Sequence, residues 1–200
     1  MIKCIGFCGL ARAGKDTAAE AVRSLGWHRM AFADGVRTGL LSLNPTVDVT
    51  PLLDRWWKQV MFDNHVPLQF AVAEFGWEDV KSLPEVRGLL QRYGDEAGRQ
   101  IHGNACWVDY ARVKMEKIRR TRDISHFVLS DVRYVNEVDF IRNTGGDVWW
   151  VDRDGVERMP HASENQLKPG IAREVLINND CKEHFQDLVR ITIADWMAQS

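Results

Sequence analysis

Apolar residues along this chain fall into short unbroken runs, separated by longer stretches in which they recur every three or four positions. Residues 2–8 form the first run. After a polar, glycine-bearing segment, Ala18, Ala21, Val22 and Leu25 recur at helical spacing until Gly26, which predicts a strand, a loop and an amphipathic helix. Residues 29–33, 127–130, 147–151 and 175–178 predict four further strands. Val108, Ala111, Met115 and Ile118 mark one helical face between them, and Phe185, Leu188, Val189, Ile193 and Trp196 mark another near the C-terminus. Short apolar strands alternating with amphipathic helices predict an α/β chain, with a parallel five-stranded sheet flanked by helices on both faces.

Residues 35–103 interrupt this alternation. Trp56, Trp57, Pro67, Phe70, Phe75 and Trp77 stand there among polar and turn residues, predicting helical and irregular structure. Ligands of parallel sheets bind beyond the carboxyl ends of the strands, so an insertion after the second strand is placed to cover a second substrate. The alternative is that these aromatics build a satellite core of their own. Either way the expectation is a single domain, with a core of residues 1–34 and 104–200 and an insertion at about 35–103.

The segment between the first strand and the first helix carries candidate chemistry. It reads Gly9-Leu10-Ala11-Arg12-Ala13-Gly14-Lys15-Asp16-Thr17. Two glycines allow the backbone to curl so that amide N–H groups converge, the helix N-terminus adds partial positive charge, and Lys15 can reach the outer phosphates of a nucleotide. Where such loops normally carry Ser or Thr after the lysine, this chain has Asp16, with Thr17 next. A carboxylate there can hold Mg²⁺ directly or through water; it also suits the first turn of any helix.

A second constellation follows the third predicted strand, Ser130-Asp131-Val132-Arg133-Tyr134-Val135-Asn136-Glu137. Asp131 falls at the strand's carboxyl end, where it can organise a metal or its waters. Arg133 and Glu137 are four apart and would share a face of the next helix. They read either as a surface ion pair of little energetic weight or as a guanidinium held by Glu137 to clamp a phosphate.

Composition narrows the partners. The chain has 200 residues, 26 Lys and Arg against 28 Asp and Glu, and a formal charge of −2. That balance lacks the basic footprint of a nucleic-acid-polymer binder, so small-molecule nucleotides are the expected ligands. No stretch approaches the roughly 18–20 apolar residues of a membrane span, and no signal-peptide layout precedes the first strand. A cytoplasmic protein without membrane association is expected. Cys4, Cys8, Cys106 and Cys181 lack paired metal-ligand spacing.

A third stretch, residues 84–99, contains Arg87-Gly88-Leu89-Leu90-Gln91-Arg92-Tyr93-Gly94-Asp95-Glu96-Ala97-Gly98-Arg99, and Trp107 follows shortly after. Together with Gly14-Lys15-Asp16-Thr17, Phe32-Ala33, the Asp131–Glu137 stretch, His161-Ala162-Ser163-Glu164 and Ile177-Asn178-Asn179-Asp180, the order resembles the deoxynucleoside monophosphate kinases of tailed bacteriophages, a branch of the phosphate-loop kinases. The resemblance spans nearly the full length. It implies the phosphate-loop NTPase fold of the nucleoside monophosphate kinase type, with a helical insertion covering the substrate. It implies transfer of the γ-phosphoryl group of ATP, with Mg²⁺, to a deoxynucleoside 5′-monophosphate for phage DNA precursor supply. The protein would then work in the host cytoplasm. Homodimerisation is left open.

The resemblance also implies residue roles. Lys15, Asp16, Arg87, Asp131, Arg133 and Glu137 would form the transfer machinery. ATP would meet Gly9, Ala11, Ala13, Gly14, Lys15, Asp16, Thr17, Arg153, Asn178 and Asn179. The acceptor would meet Asp34, Arg37, Arg87, Gln91, Arg99, Trp107, Arg133, His161 and Glu164. Asp16, Thr17 and Asp131 would serve the metal, and a loop at about 153–164, carrying Arg153 and Arg158, would form a lid. Gly35-Val36-Arg37 departs from the Pro-Leu-Lys of relatives, and Gly94-Asp95-Glu96 from their Gly-Thr-Glu; both bear on which acceptor is preferred. Rival readings are a dephospho-coenzyme A kinase-like enzyme, whose hydroxyl acceptor would need a general base, and a nucleotide-dependent switch. Against the switch, no Asn-Lys-x-Asp run selects guanine, and Val132 follows Asp131 where motor ATPases carry Glu.

Overall fold

The computed structural model describes residues 2–53, 64–156 and 166–199. The chain divides into two compact units, Met1–Phe32 with Val108–Ser200, and Ala33–Trp107.

The first unit is built on a five-stranded parallel sheet of β1 (Lys3–Cys8), β2 (His28–Met30), β5 (His126–Leu129), β6 (Val148–Asp152) and β7 (Glu174–Ile177). Their order across the sheet is β2-β5-β1-β6-β7. Ile5 lies opposite Val128 on one side of β1 and Phe7 opposite Trp149 on the other. Successive β1 side chains point to opposite faces, and the two cores divide accordingly. On one face Ile5 and Phe7 pack with Val128, Trp149 and Leu176 beneath α1 (Lys15–Arg23) and α7 (Lys182–Ala198). On the other, Cys4 and Cys8 pack with Phe127, Leu129 and Trp150 beneath α5 (Cys106–Arg122) and α6 (Val135–Asn143). Strands covered on both faces are near-continuously apolar, which is why runs rather than alternation marked them.

Two details depart from the periodicity. β2 ends at Met30, not at residue 33, because the Phe32 amide leaves the ladder to donate to Asp131 Oδ1 at 2.8 Å. Leu25 and Leu188 are 40% and 39% exposed; Leu25 lies beyond the end of α1, which stops at Arg23.

The second unit comprises α2 (Ala33–Leu43), an antiparallel pair of β3 (Thr46–Asp48) and β4 (His65–Pro67), α3 (Leu68–Val80) and α4 (Pro84–Arg92). A π-helical turn, Tyr93–Arg99, continues α4 into the short helix Gln100–His102. Leu40, Val47, Val49, Val66, Leu68, Val80, Leu83 and Val86 form its core, with Phe75 and Trp77 packed against it. These two aromatics thus belong to a satellite core, whereas Phe70 is exposed. The β3–β4 pair was missed by the sequence reading because each strand has only three residues. Trp56 and Trp57 lie outside the described residues.

Candidate functional site

In a parallel sheet every strand delivers its carboxyl end to the same edge. Here that edge receives the loop after β1, Asp131 after β5, Arg153 after β6 and Asn178 after β7. The loop is forced into shape by its glycines. Gly9 has φ +136°, and a Cβ there would stand 2.3 Å from the Val151 carbonyl oxygen; Gly14 has φ +110°, and a Cβ would stand 2.2 Å from Asn178 Nδ2. No L side chain fits either place.

Lys15 opens α1 and is only 8% exposed. Its ammonium turns back over the loop and donates to the carbonyl oxygens of Gly9, at 2.9 Å, and Leu10, at 2.6 Å. A desolvated ammonium held by two neutral acceptors is a ready counter-charge for phosphate, which offers the anion those carbonyls lack. Asp16 projects from the first turn of α1 and pairs with Arg29 of β2 at 2.5 Å, its side chain largely exposed. Thr17 is half-buried one residue on. Beneath the loop, burial pushes the Cys8 thiol up to about 12, and Lys15 draws it only partly back. Cys8 is therefore a neutral packing group there.

Asp131 is held at the strand end by the Phe32 amide, while the Ser130 and Val132 amides donate to Met30 and Phe7 carbonyls at 3.3 and 3.2 Å. The shared helical face expected for Arg133 and Glu137 does not form. α6 begins at Val135, so Arg133 precedes the helix. Glu137 is 2% exposed, and its Oε2 accepts the backbone amides of Arg133 at 2.7 Å and Tyr134 at 3.1 Å. The first amides of a helix lack intrahelical acceptors, and a carboxylate three residues in satisfies them. Glu137 thus governs where Arg133 sits through its main chain.

Asn178 Nδ2 donates to the Ala13 carbonyl at 2.6 Å. Asn179 forms a reciprocal pair with Asp154, at 2.9 and 2.7 Å, next to the exposed Arg153. Ala11 is half-buried in the loop. Arg158, His161 and Glu164, together with most of the expected lid, lie outside the described residues.

The remaining expected acceptor residues belong to the second unit. Arg87 and Gln91 are exposed one turn apart on α4. Arg99 Nη1, at 3.5 Å, and Trp107 Nε1, at 2.8 Å, both donate to the carbonyl of Gly94, a buried residue of the π-helical turn. The Trp107 ring lies against Gly98, where a Cβ would meet it at 2.4 Å. Asp34 and Arg37 pair loosely on α2 at 3.8 Å.

The donor set suits magnesium. Asp16, Thr17 and Asp131 offer only oxygen, and a hard cation shared with substrate phosphates needs one or two carboxylates rather than a protein cage. Among the described residues no cluster of three or more His, Cys, Asp or Glu could hold an ion by itself. Sequence reasoning missed Arg29, the partner of Asp16. Its only signal was a lone arginine inside a short apolar strand.

A protein of Acanthamoeba polyphaga mimivirus, named "Putative deoxynucleotide monophosphate kinase", is 29% identical over 185 residues, covering 90% of this chain and 91% of that one. Among solved structures, dephospho-CoA kinase from Campylobacter jejuni aligns over 100% of this chain and 98% of its own at 12% identity, with a TM-score of 0.46. Shikimate kinase from Aquifex aeolicus aligns over 96% of both chains at 12% identity, with a TM-score of 0.42. Likenesses this distant carry no assignment of substrate. Residues 58–189, which include the Arg87–Arg99, Asp131–Glu137 and Asn178–Asn179 segments, match the deoxynucleotide monophosphate kinase family, and the chain belongs to that family of nucleotide kinases.

Proposed function

We propose that the protein transfers the γ-phosphoryl group of ATP to a deoxynucleoside 5′-monophosphate, yielding the diphosphate that DNA precursor synthesis consumes. The observation that carries this reading is the loop at the sheet edge: two glycines in left-handed backbone, followed by a buried lysine at the start of α1. Phosphoryl transfer through a loose transition state asks mainly for alignment and neutralisation of charge. Lys15 exchanges its two carbonyl acceptors for phosphate oxygens, and Arg133, set by Glu137, meets the moving group or the acceptor phosphate. Arg153 serves the donor phosphates, and Asn179 lies on the donor side. Asp16, Thr17 and Asp131 would hold Mg²⁺, which would supply further neutralisation of phosphate charge.

The second unit recognises the acceptor. Arg87, Arg99 and Arg37 are its candidate phosphate partners, Gln91 and Asp34 offer polar contacts, and Trp107 offers an apolar wall for a base or sugar. The attacking phosphate oxygen is already anionic at neutral pH, so no strong general base is required. A coupled assay with the common deoxy- and ribonucleoside monophosphates and MgATP tests the proposal. Diphosphate formation from deoxynucleoside monophosphates is expected; phosphorylation of none of them would overturn it.

A further inference from the structure

We propose that Asn178 is a positioning residue for the phosphate loop, and not a contact for the donor base. The proposal rests on the phosphate-loop part of the reading above and is independent of the acceptor. Asn178 follows β7 and is 7% exposed. Its main-chain amide is committed to the Asp152 carbonyl at 2.8 Å, so its backbone cannot swing towards a ligand without opening the end of the sheet. The reciprocal pair between Asn179 and Asp154 ties the same two chain segments together a second time.

What remains is the carboxamide. Its nitrogen faces a carbonyl, which settles the orientation of the group, because only the NH₂ end can donate. The bond to the Ala13 oxygen crosses 165 residues of sequence. It passes against Gly14, where any Cβ would collide with the nitrogen. Asn178 and Gly14 are therefore a matched pair: the glycine must lack a side chain for the asparagine to reach the loop.

The consequence follows from peptide geometry. The Ala13–Gly14 peptide is planar and trans, so its C=O and N–H point in opposite directions. Pinning the Ala13 oxygen towards Asn178 turns the Gly14 N–H away from it, as an anion cradle made of amides requires. The same pin fixes the residue immediately before Lys15. Asn178 thereby prepares the loop for phosphate before any nucleotide arrives, and ordering that would otherwise weaken binding is already done.

The test separates phosphate from base. Affinities for inorganic tripolyphosphate and for ATP are measured by calorimetry, in one magnesium buffer, on wild type, Asn178→Leu and Asn178→Ala. Leucine keeps the volume and removes the donor without adding charge; alanine covers the case in which leucine does not fold. Melting curves accompany each variant. The expected result is that both ligands weaken by a common factor of about ten, with affinity for a deoxynucleoside monophosphate unchanged. A variant that binds tripolyphosphate like wild type while ATP weakens would assign Asn178 to the base and overturn the proposal, as would unchanged affinity for both. Wild-type protein that ignores tripolyphosphate would overturn it together with the phosphate-loop reading. The acceptor is decided separately, by turnover.

Discussion

Lys15 places a positive charge against the carbonyl oxygens of Gly9 and Leu10. Its value is realised when negative charge moves past it, so Lys15→Ala should melt close to wild type while kcat falls by roughly 10²–10³-fold or more. Turnover and melting on the same preparation check this; near-normal turnover would remove the loop from the mechanism. Asp131 has one observed task and one proposed. Its Oδ1 accepts the Phe32 amide, which an asparagine oxygen can also do, whereas the Mg²⁺ binding proposed for it would rest on the charge. Asp131→Asn should therefore keep its stability, lose turnover and need more Mg²⁺ for half-maximal rate, while Asp131→Ala should lose stability as well. An asparagine variant with wild-type rate and metal dependence would leave Asp131 as a strand-end residue only.

At the scale of elements, the start of α6 links the buried Glu137 carboxylate to the main chain of Arg133, the arginine proposed as a phosphate clamp. Glu137→Gln exchanges a charged acceptor of two amides for a neutral one. The expected loss is about 1–2 kcal/mol, seen as a fall of about 2–8 °C in Tm. Arg133→Lys should leave Tm unchanged, because Glu137 holds the main chain at that position. If the guanidinium forks onto a phosphate, kcat should still fall about tenfold, equivalent to about 1.4 kcal/mol. Because Glu137 sets where residue 133 lies, the double variant should lose less activity than the two single losses added. Additive losses would separate the two residues, and full activity in Arg133→Lys would end the clamp. The helix boundary was not legible in the sequence. A spacing of four fits a shared helical face and an N-terminal cap equally well, and only the start of α6 at Val135 chooses between them.

For the molecule as a whole, the cysteines report on the sheet. Burial pushes the Cys4 and Cys8 thiols from 9.0 up to about 12, while Cys181 is exposed. Native protein should therefore react with a thiol reagent at Cys181 well before Cys4 or Cys8, as peptide mapping would read. The same shifts set a pH dependence. The folded state favours the neutral thiols, so their contribution is intact below pH 9.0 and is lost as pH rises from there towards 12. Denaturant midpoints should fall over that range, and less steeply in Cys4→Ala with Cys8→Ala. The strands of the five-stranded sheet, the loop with its lysine, and the carboxylate after β5 were legible because each is local: apolar runs, a glycine spacing, a residue at a strand end. Local patterns in the chain were enough to read a parallel α/β kinase with a glycine- and lysine-bearing loop after β1. The strand order, the pairing of Asp16 with Arg29, the capping by Glu137 and the reach of Asn178 to Ala13 came only from the folded structure. Those contacts join segments distant in the chain or depend on where a helix begins, and neither periodicity nor spacing carries information about what the folded sheet brings side by side.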